Sequence, residues 1–406
     1  MSAAAQRDRR PLAGIRVLEL GTYIAGPFCG TLLAEFGAEV IKAELPGIGD
    51  PCRRYGSASP VADASYMFLS EGRNKRSISL DLRSPQGADI AKRLAAQVDV
   101  VVENFQPGTM ERWGLGWDVL HAENPRLVMA RISAYGQTGP MSSQPGFGRV
   151  AIAFGGLGYI TGYPDRAPTS PGTATLADYM SGLFAANGVL LALRSRDRTG
   201  EGQYVDMALY EAVFRILDET APVYAATGRI RERSGPASHN SVPHSNYPTA
   251  DGRWISIACT NDTIFSRLAA ASGHPELAGD GKWGTYQRRR ADEDAVNAYV
   301  ADWTGSRKRE EVQEICRRFE VPCGPIYSIA EIFEDEQFAA RGNLLALEDE
   351  RAGTVVVPNT VPRLSATPGG VDTLGPALGQ DTAEILGELL GIGQDELGEL
   401  AADGII

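Results

Sequence analysis

The sequence predicts an α/β protein built around a mostly parallel sheet covered on both faces, with a smaller α+β domain after it. Three observations carry this. Over the first half, near-continuous apolar runs alternate with amphipathic stretches, the pattern of buried parallel strands joined by helices. The 406 residues exceed the size at which one hydrophobic core stops growing, so two domains are expected. From 235 to 248 the chain turns to Ser, Pro, Gly, His and Asn, and the alternation stops.

IRVLEL (15–20), GPFCGTLLAEFG (26–37) and AEVIKAE (38–44) form a first βαβ unit. SISLDL (77–82), the helical SPQGADIAKRLAAQ (84–97), VDVVVEN (98–104), a helix near 117–122 and LVMARISAYG (127–136) continue it. Turn-rich residues 137–147 close this half, a Gly-rich segment runs to Pro171, and a long helix covers about 178–195. RDRTGEG (196–202) is a turn, QYVDMAL (203–209) one more strand, and a helix starts at Tyr210. Further on, TADGRWISIACT (249–260) is a turn and strand, followed by helices at 262–272, 291–303 and 309–319. VPCGPIYS (321–328) is an extended connection, and helices at 380–390 and 394–401 end the chain. The expected domains are a large Rossmann-like domain over 1–215, a linker at 216–240 and a small α+β domain at 241–328. A linker and C-terminal tail at 329–406 return to the large domain.

Composition narrows the function. A net charge of -12 argues against nucleic-acid and anionic-membrane partners, which require basic surface. The five cysteines form no CxxC pair, so reduced thiols, a cytoplasmic location and no zinc or other metal site are expected. MSAAAQRDRR reads as a loose polar arm rather than a signal peptide. The longest apolar stretches, 151–160 and 182–193, are too short to span a bilayer and read as core.

GTYIAGP (21–27) after the first strand, with Glu44 closing the second, invites a dinucleotide-binding reading and an NAD-dependent oxidoreductase. The two glycines stand five apart and GxGxxG is absent, so the alternative is a tight turn at Gly21 and Gly26 with Pro27 as first helical residue. Asp178 also has two readings. It stands at the start of a glycine-containing apolar helix, where an aspartate commonly caps the first-turn amides. The same place suits a nucleophile: helix-end donors keep the carboxylate ionised and Gly182 leaves room for a bulky partner.

VLELGTYIAGP, FGAEVIKAE, GRNKRSISLDLRSPQG, DVVVENFQPGTMERWGL, YGQTGP, LADYMSGLFAANGVLLAL and RTGEGQYVDMALYEA stand in that order, followed by VPCGPI, VVVPNTVPRLS and LGQDTAEIL. Together they resemble the class III coenzyme A transferases of the formyl-CoA transferase (CaiB/BaiF) type, over nearly the whole chain. The resemblance implies that Asp178, in LADYMSGL, is the catalytic nucleophile, passing through mixed-anhydride and aspartyl-CoA thioester intermediates. Coenzyme A is then a substrate, with an acyl-CoA and a small carboxylic acid as partners and no permanently bound cofactor. It also implies CoA contacts at Ile24 and Ala25, at Leu80, Asp81, Leu82 and Arg83, and at Asn104, Phe105, Gln106 and Arg112. Without it, Arg83 and Arg112 read as solvated helix-end charges.

The chain departs from the family's well-known member at Ile24 (a glutamine there), at Leu45 (a basic residue there) and in lacking a GGGGQ loop; SVPHSNY (241–247) is the expected substitute. His239 and His244 near that loop either meet the acceptor carboxylate or are exposed structural residues. The family's α-methylacyl-CoA racemases carry a GHD motif where this chain has GFGR (146–149); with Phe147 in place of histidine, two-base proton transfer loses a group. ALYEAVFRILDETAPVYAATGRIRER and TADGRWISIACT look similar to succinyl-CoA:malate or citramalate transferases, which points to dicarboxylic acids. Arg215, Arg231 and Arg233 are candidate cations for the second carboxylate, or a solvent-exposed basic helix end. Family membership further implies a homodimer whose two chains interlink like rings.

Overall fold

The computed structural model describes residues 9–173 and 175–406. They form two compact units. One takes in the described residues up to Gly158, those of Ser170–Thr227, and Ala340–Ile406; the other is Tyr159–Thr169 with Gly228–Ala339. The linker expected at 216–240 is thus shared, 216–227 in the first unit and 228–240 in the second.

Six parallel strands make the sheet of the first unit: β1 (Arg16–Glu19), β2 (Glu39–Glu44), β3 (Lys75–Ser79), β4 (Val100–Glu103), β5 (Val128–Ser133) and β6 (Tyr204–Ala208), in the order β3-β2-β1-β4-β5-β6. The chain winds outward from β1 to β3, then crosses back to β4 and winds the other way. Strand order therefore reverses between β1 and β4, where open α/β sheets place their ligands.

Period-2 alternation divides the apolar residues between two faces. Leu18, Ile41 and Ile78 face Ile90 and Leu94 of helix Pro85–Ala95, and Ile385, Leu386, Leu397 and Leu400 of the C-terminal tail. Val17, Val40, Val100 and Val128 face Cys29 and Leu33 of helix Ala25–Glu35 and Ala185 and Val189 of helix Leu176–Thr199. Each of the Val, Leu and Ile side chains among them, when fully buried, contributes roughly 1.5–3 kcal/mol. Because both faces are covered at the centre of the sheet, β4 reads as a continuous apolar run, whereas β6 at the edge alternates exposed and half-buried residues.

Helix Leu176–Thr199 runs into the turn expected at 196–202, because Arg196 is buried and paired with Asp99 at 2.8 Å; Gly200, at φ +82°, ends it. At 24 residues it is long and apolar enough to cross a membrane, contrary to the estimate from its apolar core segment, yet one face lies against the sheet as in a core helix. The 25–35 helix starts before Pro27, which is its third residue rather than its first; the missing amide costs nothing there, since first-turn amides have no intrahelical partner. β3 lies at 75–79 instead of 77–82, so Leu80–Arg83 follow the strand. Helices Tyr66–Glu71, Gly148–Phe154 and Leu157–Ile160 and the antiparallel hairpin Leu344–Asp349 with Gly353–Pro358 were not expected.

In the second unit β7 (His244–Pro248), β8 (Trp254–Ala258) and β9 (Cys323–Pro325) form an antiparallel sheet, where a loop was expected for β7 and an extended connection for β9. Ile255, Ile257, Leu268, Val300 and Val312 bury its helices on that sheet. Tyr159–Thr169 joins this unit through Arg233, whose Nη1 donates to the Tyr159 carbonyl at 2.9 Å, and through the Gly235 amide, which donates to the Gly162 carbonyl at 2.9 Å.

Candidate active site

The turn after β1 is filled by a side chain. Asn104, leaving the end of β4, accepts from the Thr22 amide through Oδ1 at 2.7 Å and donates to the Thr22 carbonyl through Nδ2 at 2.9 Å. A Cβ on Gly21 would come within 2.7 Å of that Oδ1, and one on Gly26 within 3.2 Å, so both glycines serve this clamp. With Asn104 seated there, the turn offers no cradle for a pyrophosphate, and the dinucleotide reading of GTYIAGP is corrected.

Buried charges brace the same turn from below. Glu19 of β1 stands opposite Lys42 of β2. Lys42 Nζ reaches Glu19 Oε1 and the Gly21 carbonyl at 3.0 Å each, and Asp50 Oδ2 at 2.6 Å. Burial opposes the Lys42 charge, but Asp50 and Glu19 outweigh it and hold the amine above the usual lysine range. Asp50 Oδ1 accepts from the Tyr23 amide at 3.0 Å and the Cys52 amide at 2.7 Å. Between these clamps Tyr23 sits at φ +61°, a left-handed conformation that costs a non-glycine residue about 1–3 kcal/mol.

Asp178 is the third residue of the 176–199 helix, and Thr175 holds the N-cap position without a side-chain capping bond, so the capping reading is corrected. Its carboxyl faces a cavity of about 310 Å³ whose lining includes Thr22, Tyr23, Ala25, Asn104, Phe105, Gln106, Ser133, Gln144, Phe147 and Leu209. This cavity lies over the C-terminal ends of β1, β4 and β5, at the reversal of strand order. Burial pushes the Asp178 carboxyl up to about 6, with its own backbone amide pulling the other way. The expectation that helix-end donors dominate is therefore reversed, although a carboxyl at about 6 is still mostly ionised at neutral pH. Gly182 does not make room for a ligand. A Cβ there would meet the Ala25 carbonyl at 2.8 Å and Phe28 at 3.0 Å, so it lets the 25–35 helix approach.

A second cavity, about 240 Å³, adjoins the first through Thr22 and Phe105 and is lined by Leu45, Leu80, Asp81, Leu82, Arg83 and Trp113 among others. The shift of β3 puts 80–83 there. Arg83 is exposed and forked onto Asp81 at 2.8 and 2.9 Å, which holds the Asp81 carboxyl below its usual range. Ile24, 3% exposed, belongs to a core cluster with Phe68 and Leu69, so its side chain does not reach either cavity. Arg112 is exposed, donates to the Thr109 hydroxyl at 2.8 Å and lies outside both linings. Arg215 ends helix Leu209–Arg215, whose first residue lines the Asp178 cavity.

His239, His244, Arg231 and Arg233 belong to the second unit. His239 Nε2 lies 3.1 Å from the Glu232 carbonyl, and burial with Arg231 nearby lowers its pKa. His244 is in β7. Arg233 spends its guanidinium on the Tyr159 and Tyr163 carbonyls, which makes it a staple of its own unit. A larger cavity, about 510 Å³, opens at the other end of the sheet between Arg16, Glu39, Arg76 and Asp99; its charges pair, Glu39 with both arginines and Asp99 with Arg196.

Sequence reasoning missed Tyr23, Lys42, Asp50, Ser133 and Gln144. One signal was available for Lys42: a lysine inside a strand buried on both faces needs an anionic partner.

The profile of CoA-transferase family III matches residues 12–382. The succinyl-CoA–L-malate CoA-transferase alpha subunit of Chloroflexus aurantiacus is 50% identical over 400 residues, 98% of this chain and 94% of that protein. The succinyl-CoA–D-citramalate CoA-transferase of the same organism is 47% identical over 403 residues, 99% of this chain and 100% of that one. The crystal structure of a CAIB/BAIF family protein from Brucella suis superposes with a TM-score of 0.83 at 36% identity, covering 94% of this chain and 99% of that chain. Matched from the residues ahead of β1 to the start of the 382–390 helix, and end to end by such relatives, the chain belongs to CoA-transferase family III.

Proposed function

We propose that this enzyme moves CoA from succinyl-CoA to a small dicarboxylic acid such as malate or citramalate, with Asp178 as the covalent nucleophile. One observation carries the reading: Asp178 is a poorly solvated carboxylate, raised to about 6, at the mouth-forming strand ends where this fold places ligands. Such a group is ionised at neutral pH and weakly hydrated, which makes it reactive toward a thioester. The names of the C. aurantiacus relatives support the choice of acids.

The Asp178 carboxylate attacks the thioester carbon, the C–S bond breaks, and CoA leaves as thiolate from a mixed anhydride. That thiolate attacks the Asp178 carbonyl carbon and expels succinate, leaving an aspartyl-CoA thioester. The acceptor carboxylate attacks the same carbon and expels CoA thiolate again, giving a new anhydride. In the last step the thiolate takes the acceptor's acyl group and Asp178 returns as carboxylate. No net proton or metal is consumed. Asn104, Phe105, Gln106 and Ala25 would border the thioester end, and the Leu80–Arg83 cavity would take the adenine end, with Phe105 between. Ile24 would contribute backbone alone. Arg215 is the proposed cation for the distal carboxylate, while Arg112 is held as an outer CoA contact. Phe147 borders the cavity without an ionisable group, which favours transfer over racemisation. The enzyme is further proposed to work in the cytoplasm as an interlinked homodimer, which the exposed apolar side chains of the 176–227 helices support.

The test is to incubate the enzyme with succinyl-CoA alone, then with hydroxylamine or borohydride, and map the mass change. A label on the peptide holding Asp178 is expected. A label elsewhere, or none in an enzyme that turns over, sinks the assignment.

A further inference from the structure

Tyr23 is strained without being a glycine, although glycines stand close on either side of it in the same turn. Three side chains hold it in place: Lys42 on the Gly21 carbonyl, Asn104 on both polar atoms of the Thr22 backbone, and Asp50 on the Tyr23 amide. Lys42 and Asp50 are themselves 2% exposed and joined at 2.6 Å, so the brace is rigid. A bulky residue kept in a left-handed conformation by an over-determined surrounding marks a site where its side chain has work to do. Tyr23 borders the Asp178 cavity, and its ring stands edge-on to Phe147, another residue of that lining, with centroids 6.2 Å apart.

We propose that the Tyr23 ring, with Phe147, is the wall against which the carbon chain of the acid joined to Asp178 lies, so that Tyr23 sets the accepted chain length and Lys42 and Asp50 are its positioning residues. This rests on the reading of Asp178 as the acyl-carrying nucleophile. Apolar walls discriminate by size: a methylene gained or lost against one changes kcat/KM by about 10–200-fold. The wall is set by backbone geometry. A glycine at 23 relieves the strain and removes the wall together, and a phenylalanine keeps the wall.

The experiment measures, with succinyl-CoA as donor, the ratio of kcat/KM for six-carbon adipate to that for four-carbon malate. Tyr23→Gly is expected to stay folded and to raise this ratio about 10-fold or more, whereas Tyr23→Phe stays within about twofold of wild type. Asp50→Ala, which frees the Tyr23 amide, should move the ratio the same way, and Asp50→Asn, which keeps the accepting oxygen, should restore most of it. Loss of folded enzyme lowers both constants equally and leaves the ratio unmoved, so a structural role alone cannot mimic the result. A wild-type ratio in folded Tyr23→Gly overturns the wall, and one in Asp50→Ala overturns the positioning. A wild-type enzyme that charges neither acid overturns the parent reading as well.

Discussion

Ionising Asp178 works against the fold, because burial raises its carboxyl to about 6 from the ordinary aspartate value near 3.9. A raised folded pKa means that the folded state holds its proton more tightly than the unfolded chain does. The stability tied to that proton is fully present below about pH 4 and is lost as pH rises through about 6. Asp178→Asn, which stays neutral, is therefore expected to be as stable as wild type at acid pH and more stable at pH 8, on the order of 1–2 kcal/mol after solvent screening. Turnover should vanish in the same variant, and in the wild type kcat/KM should rise with pH along a single acid limb near 6. Denaturation at the two pH values and a pH-rate profile check both halves; an asparagine variant less stable at pH 8 would restore the capping role. The candidate was legible in LADYMSGL, but its burial was not. Nothing local in the sequence tells that the helix begins at Leu176 and turns Asp178 inward toward the ends of β4 and β5.

Gly182 and Arg53 show how elements are held to the sheet around that residue. At Gly182 the 176–199 helix touches the Ala25 carbonyl and Phe28, so Gly182→Val should push the helices apart, lowering stability by about 1–3 kcal/mol and displacing the turn that carries Tyr23. Chemical denaturation and loss of turnover per folded molecule would register it; a silent valine would mean the contact is slack. Arg53 is buried, forked onto Glu44 at 2.6 and 2.7 Å, bonded to the Pro376 carbonyl at 3.1 Å and lying 3.8 Å over the Phe68 ring. Removing it as Arg53→Ala leaves Glu44 charged and buried, an expected loss of about 3–5 kcal/mol in the same assay. The central strands β1 and β4 were legible because burial on both faces fills them with Val and Leu. The 344–358 hairpin was not. Its strands alternate buried and exposed residues on a short, charged stretch, and its pairing is settled by neighbours far off in sequence. The strand at 244–248 was hidden for a related reason: Ser, Asn and Pro within it signal turns until β8 is there to pair with.

At the scale of the whole molecule the first unit leaves apolar surface without cover. Leu190 and Leu191 stand about two turns beyond Leu183 along one side of the 176–199 helix, and the three are 44, 63 and 57% exposed. Phe214, Ile216 and Tyr224 follow on the next segments, each at least half exposed. Single exposed leucines are ordinary, but a stripe of them on the helix that carries Asp178 is the kind of surface that associates. The proposed homodimer accounts for it. The wild type should then scatter light as twice its 43.4 kDa chain at all workable concentrations, with a folding midpoint that rises with protein concentration. Leu183→Glu with Leu191→Glu places two charges on that face and alters no residue lining the Asp178 cavity. If a second copy covers the stripe, this variant should dissociate or lose several degrees of midpoint, more at low concentration than at high. If it keeps the wild-type mass and midpoint, the stripe lies outside the interface. A wild-type enzyme that stays monomeric while turning over would remove the dimer from the proposal altogether.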